Sequence, residues 1–159
     1  MSRPLFTALV GAATLVGCDA IQPQTDSVLV PIERVTVSEI REGPVVSDDL
    51  WDADGSGPDV FIEIQTNTGD FIYRSEIQQD VDPEASVTFA IPGEITTLAT
   101  RTELSVTAFD FDESFTGSER IGRSLVFTVG ELSDADEPLM LEDQNGFRGF
   151  PAQFEIDPR

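Results

Sequence analysis

Histidine and lysine are absent from this 159-residue chain, and cysteine, tryptophan and tyrosine occur once each. Without histidine there is no Ser/His or Cys/His catalytic pair and no zinc site of the usual His/Cys kind. Without lysine there is no Schiff-base nucleophile and no phosphate-binding lysine loop. One cysteine, Cys18, excludes an internal disulfide. Positive charge is scarce: nine arginines face 30 Asp and Glu, for a net charge of −21. Nucleic acid is excluded as a partner, because phosphate neutralisation needs clustered Lys and Arg. An anionic lipid surface repels such a chain unless a cation intervenes. Carboxylate-pair chemistry is all that remains for catalysis, and among 30 acids some pair is inevitable. The sequence therefore points to a binding protein rather than an enzyme.

The charge has a physical cost. Self-repulsion destabilises a compact state, and salt relieves it, the Debye length falling to about 3 Å at 1 M. Abundant acids with no lysine fit adaptation to high salt; an acidic protein kept soluble by its charge is the plainer reading. Hydrophobic content is 40%, enough for one domain with its own core.

Met1-Ser2-Arg3 is a short basic start, and Leu5 to Val16 is apolar or small, interrupted by Thr7 and Thr14. This run is too short for a helix crossing a bilayer core of about 30 Å, and suits the apolar region of a signal peptide. It ends at Leu15-Val16-Gly17-Cys18, after which the sequence turns polar. Those four residues resemble the bacterial lipoprotein signal, the lipobox. The resemblance implies a signal peptide over 1–17, cleavage before Cys18, and diacylglycerol on the Cys18 thiol, with palmitate among the lipids attached at Cys18. The expected location is the cell envelope, exported from the cytoplasm and lipid-anchored, with inner and outer membrane both open. A plain signal peptide with an incidental cysteine is the alternative. Residues 18–27 then form the acylated cysteine and a flexible tether, rich in Pro, Gln, Asp and Thr and without periodicity.

From residue 28 to 159 the pattern is that of a single β domain. Arg34 to Ile40 and Asp59 to Gln65 alternate with period two. Further strands are expected at Phe71–Tyr73, Val87–Ile91, Leu104–Phe109, Ser124–Val129, Leu139–Leu141 and Ala152–Ile156. Gly, Pro, Asp and Ser clusters separate them, including the turn at Thr68-Gly69-Asp70. The expected fold is all-β, an eight-stranded antiparallel β-sandwich. No stretch holds a helical period for ten residues; Ile95 to Thr102 is a weak helical candidate, and its threonines argue against it.

Acids concentrate in two loops that follow strands. Five of the twelve residues from Asp48 to Asp59 are Asp, and four of the ten from Asp110 to Glu119 are acidic. Carboxylates gathered there would repel one another, and a hard cation would reverse that penalty; Ca²⁺ takes six to eight oxygens at about 2.3–2.6 Å. Asp52, Asp54, Ser56, Gly57 and Glu63 also fall at EF-hand spacing. The flanks disagree, because Val60 to Gln65 reads as strand and Gly43-Pro44-Val45-Val46 cannot end a helix.

The order of strands and acidic loops resembles the C2 domain family from about Ile32 to Ile156. Asp59-Val60-Phe61-Ile62 looks like its Asp-Pro-Tyr-Val strand entry. Asp82-Pro83 before Val87-Thr88-Phe89 resembles its Asn-Pro-x-Trp stretch with the Trp missing. Leu104 to Asp112 is similar to its Leu-x-Val-x-Val-x-Asp-x-Asp strand and loop, and Arg120-Ile121-Gly122 to the Ile-Gly that follows. The resemblance implies a C2-like sandwich binding calcium, with Asp52 or Asp54, Asp59, Asp110, Asp112 and Glu119 as ligands. Loop spacing departs by about one residue between Asp54 and Asp59 and between Asp112 and Glu119. The plain alternative for these residues is solvated turns of an acidic protein. A phospholipid or protein partner is expected at the loop end. Trp51 and Phe115 could insert into lipid there, though core or rim packing is the commoner use of such aromatics.

Overall fold

The computed structural model describes residues 26–41, 51, 55–93, 95–112, 117–143 and 152–159. Within them the elements run β1 (Ser27–Leu29), β2 (Ile32–Ser38), β3 (Val60–Thr66), β4 (Phe71–Arg74), β5 (Val87–Ala90), β6 (Thr97–Ala99), β7 (Glu103–Asp110), β8 (Glu119–Arg123), β9 (Phe127–Thr128), α1 (Val129–Ser133), β10 (Leu139–Glu142) and β11 (Gln153–Pro158). One sheet has the order β10-β11-β2-β5. The other is β4-β3-β7-β8, with β9 pairing the far end of β7, and β1 with β6 makes a small third sheet. Every described strand pair is antiparallel. The fold is therefore an all-β antiparallel sandwich, as the alternation predicts.

The strand count differs: the described residues hold eleven strands where periodicity gives eight. β1 and β6 are three residues long, too short to show a period of two, and β8 occupies Glu119–Arg123, read from the sequence as the end of an acidic loop and the Ile-Gly after it. Ser27, placed at the end of the tether by composition, is the first residue of β1 and pairs with Ala99. The helical candidate at 95–102 contains β6 instead, consistent with its threonines. The strand expected over Ser124–Val129 keeps only Phe127–Thr128 and passes into α1. A capping box nucleates this turn of helix. Thr128 accepts from the Glu131 N–H at 3.0 Å, and the Glu131 carboxylate accepts from the Thr128 N–H at 2.6 Å. The Thr128 N–H foremost, and then the Thr128 hydroxyl, which also donates to Glu131 Oε2 at 2.9 Å, hold the Glu131 carboxyl below its ordinary value. Val129 and Leu132 are buried beneath the turn.

The core lies between the two large sheets. Ile32, Val35 and Val37 of β2, Phe154 and Ile156 of β11, and Phe89 of β5 come from one side. Ile62 and Ile64 of β3, Val106 and Ala108 of β7, and Ile121 of β8 come from the other. Trp51 joins this core at 7% exposure, and its indole N–H donates to the Arg41 carbonyl at 2.5 Å. The packing use of Trp51 is thus the observed one; Phe115 lies outside the described residues.

β3 is buried on both faces. Its outward residues are covered by their neighbours across the sheet. Glu63 pairs with Arg74 and with Thr107, and Phe61 pairs with Phe109. Phe109 stacks on Phe61 with centroids 5.2 Å apart, and the Arg74 guanidinium lies 4.8 Å over the Phe61 ring. Arg74 also forms an ion pair with Glu63, whose second oxygen accepts from Gln65 at 2.7 Å. Glu63 is therefore a covered carboxylate held by an arginine in β4. This removes the EF-hand alternative: its last ligand would be a residue inside a strand, facing Arg74. On the other sheet Arg34 pairs with Asp157 at 3.0 Å across β2 and β11.

Two outcomes follow for stability. Thr128→Ala is expected to lower the unfolding free energy in urea titrations by about 1 kcal/mol. Glu131→Gln weakens the same turn. Because the folded carboxyl sits below its ordinary value of 4.5, its contribution is present above that pH and is lost as pH falls through the folded value. The parent and the Glu131→Gln variant should accordingly converge in stability in acid. Arg74→Ala strips Glu63 of its cation and uncovers Phe61. With the guanidinium 58% exposed, the expected cost is about 1–2 kcal/mol. Adding Glu63→Gln to Arg74→Ala should recover part of it, since a neutral amide needs no cation.

Candidate functional site

The pairing of β3 with β7 decides which acids meet. It runs from Thr66↔Leu104 to Val60↔Asp110, so β3 begins where β7 ends. β8 returns beside β7 with Asp110↔Glu119. Asp59, Asp110 and Glu119 thereby reach one end of the five-stranded sheet, although 51 residues separate the first two along the chain. Asp112 follows Asp110 two residues beyond the end of β7. The loop after β4 comes to this same end, because Gln78 bridges to Val60.

Of the six residues singled out as metal ligands, Asp52 and Asp54 lie outside the described residues, as does the lipidation residue Cys18. The other four are described. Asp110 is 1% exposed, and its Oδ1 accepts from the Asp59 N–H at 2.8 Å. Asp59 is half-buried. Its Oδ1 accepts from the Asp80 N–H at 2.9 Å, and its carbonyl accepts from the Phe111 N–H at 2.8 Å. Asp112 and Glu119 are also half-buried. Among the described residues no group of three or more His, Cys, Asp or Glu side chains is arranged to hold a metal ion. An ionised carboxylate has about four lone-pair positions, so one main-chain donor does not exhaust Asp59. The remaining expected ligands, Asp52 or Asp54, lie outside the described residues.

Main-chain donors serve two of these carboxylates: Asp110 takes the Asp59 N–H and Asp59 the Asp80 N–H, and a hydrogen bond to an ionised acceptor is roughly twice as strong as a neutral one. Sequence reasoning passed over Asp80 and met Gly57 only at EF-hand spacing. A Cβ on Gly57 would lie 1.9 Å from the Val81 carbonyl oxygen, and Asp80 takes a left-handed conformation at φ 51°. The signal for Asp80 was faint: Asp is enriched several-fold among non-glycine residues at positive φ, yet nothing near Gln78-Gln79-Asp80 marks a tight turn. For Gly57 the Gly-Pro pair marked a loop without revealing what approached it.

Phe111, 38% exposed, stands beside this end and meets Phe61 edge-on with centroids 6.5 Å apart. Arg120 pairs with Phe109 and is exposed. The end of the sheet thus offers an aromatic edge and one arginine next to the acids. Among the described residues no helix is long and apolar enough to cross a membrane.

No family model and no curated protein matches the chain. Solved structures similar to it include C2 domain proteins. A structure holding two C2 domains of extended synaptotagmin 2 aligns at 14% identity and a TM-score of 0.38, covering 99% of this chain and 48% of that one. A C2 domain protein from Ramazzottius varieornatus aligns at 12% and 0.39, covering 82% and 91%. Human GIVD cytosolic phospholipase A2, in complex with an inhibitor and terbium chloride, aligns at 11% and 0.40, covering 84% of this chain and 18% of its own. The chain spans about half the length of the extended synaptotagmin 2 structure. At such identities, and with TM-scores below 0.5, the likeness transfers no residue role and no ligand; the sandwich itself rests on the strands, registers and core described above.

Proposed function

We propose that this chain is an envelope lipoprotein, anchored through acylated Cys18, whose β-sandwich is a C2-like binding module. Its acidic loop end takes Ca²⁺ and meets a phospholipid or protein partner. The observation that carries this reading is the register Val60↔Asp110↔Glu119, which gathers acids distant in sequence at one end of one sheet. Asp59, Asp110, Asp112 and Glu119 would supply the described part of the ligand set, and Asp52 or Asp54 the rest. Bound calcium would offset the local negative charge that otherwise repels an anionic surface. We read the module as binding rather than catalytic: without histidine or lysine, and with its single cysteine assigned to the anchor, the chain has only carboxylate pairs to offer for catalysis.

A second reading has its own observation. Because no three described acids form a metal-holding group, the module can equally be an interaction lipoprotein whose acidity serves salt tolerance alone.

Thermal unfolding in millimolar Ca²⁺, against Mg²⁺ at equal ionic strength, separates the two. Specific binding at 100 times Kd adds about 2.7 kcal/mol to stability, and the gain should vanish in the Asp110→Asn, Asp112→Asn double variant. Equal responses to the two cations, or a gain untouched by the double substitution, would favour the salt-tolerant reading. Metabolic labelling with radioactive palmitate tests the anchor: label is expected on the parent and none on Cys18→Ala. Equal label on both would overturn it.

A further inference from the structure

Three chain segments meet at the acidic end of the five-stranded sheet, and main-chain groups stitch them together. Val60 and Gln78 exchange both main-chain hydrogen bonds at 2.8 Å, and the Val81 N–H donates to the Pro58 carbonyl at 3.0 Å. The approach is so close that only glycine fits at 57, where any Cβ would sit 1.9 Å from the Val81 oxygen. At Asp80 the backbone turns left-handed, φ 51°, which brings its N–H onto Asp59 Oδ1 at 2.9 Å. The third segment closes the junction. Asp110 Oδ1 takes the Asp59 N–H at 2.8 Å, and the Phe111 N–H returns to the Asp59 carbonyl at 2.8 Å.

We infer that this junction is a permanent clasp: it holds 57–60, 78–81 and 110–111 together with no cation present, and Asp59 and Asp110 serve in it as hydrogen-bond acceptors. Each carboxylate tie uses a main-chain donor, which brings no flexible side chain to be immobilised. The acceptor oxygen is the part the geometry uses; an amide oxygen of the same shape stands in the same place and keeps the tie, with the weaker bond of a neutral acceptor. Any ligand arriving at this end therefore meets a frame already formed, and the clasp stands whether or not calcium binds.

Amide hydrogen exchange on the full chain in detergent, with excess EDTA, tests this. The Asp59, Asp80 and Phe111 amides are expected to be protected on the order of 100-fold or more over free peptide, with no further protection on adding millimolar Ca²⁺. Asp110→Asn should keep the Asp59 amide protected, and Asp110→Ala should lose it. Gly57→Ala should free the Asp59 and Asp80 amides while β2 and β11 stay protected, and Asp80→Gly, which suits a positive φ, should leave the clasp intact. If Gly57→Ala fails to fold, the Asp110 pair still decides. Free-peptide exchange in EDTA that slows only with Ca²⁺ would overturn the inference, as would an Asp110→Asn variant as unprotected as Asp110→Ala. Protection in EDTA without any calcium-specific gain in melting would support the clasp and count against the calcium reading, so the two fail separately.

Discussion

Seven consecutive pairs between β3 and β7, from Val60↔Asp110 to Thr66↔Leu104, fix where everything else in this molecule goes. Side chains alternate across a sheet with a period of two, so a slip of β3 by one residue would turn Ile62 and Ile64 out of the core. The same slip would carry Asp59 away from Asp110. Burial and the acidic end are thus two consequences of one register, and the apolar face enforces it. The hydrophobic residues place the carboxylates; the carboxylates then tie the loops that the sheet has brought within reach.

A chain with 30 acids and nine arginines cannot neutralise its charge by pairing, and the structure shows other means. Asp59, Asp110 and Glu131 take main-chain N–H groups, donors that carry no formal charge. Arginines stand where a covered carboxylate needs a cation: Arg74 beside Glu63, Arg34 beside Asp157. Arg74 does two things at once, since its guanidinium pairs with Glu63 and lies over Phe61. Lysine, a hydrated point charge without a planar face, would pair with Glu63 but is a poorer cover for an aromatic ring. Other described acids take uncharged donors too: Asp143 the Arg123 N–H at 3.1 Å and Glu103 the Asn67 side-chain amide at 2.8 Å.

For binding, the consequence is a loop end whose frame is rigid and whose charge is high. A preformed frame spends little of a ligand's interaction energy on ordering, while the surrounding acids favour a cation over any anionic group. An exposed aromatic edge at Phe111 and a lone arginine at Arg120 lie alongside. The proposed sequence of events, cation first and partner second, follows from that order of charge.

The sequence alone determined the fold class, because alternation of apolar and polar residues in strands such as β2, β3 and β7 is a local property with a fixed period. It determined what chemistry is impossible, since a missing histidine or lysine cannot be supplied by folding. It also marked both acidic loops and named Asp59, Asp110, Asp112 and Glu119. It did not show β1 and β6, which are too short to carry a period, β8, whose residues read as loop, or α1, whose Thr128–Glu131 capping box was the only local sign. What the acids do was decided by tertiary structure alone. Hydrogen bonds from Asp59 to Asp110 and from Asp80 to Asp59 join residues 51 and 21 positions apart. The steric need for Gly57 depends on a carbonyl in another loop. Contacts between distant segments depend on the sheet register, which exists only once the core has formed.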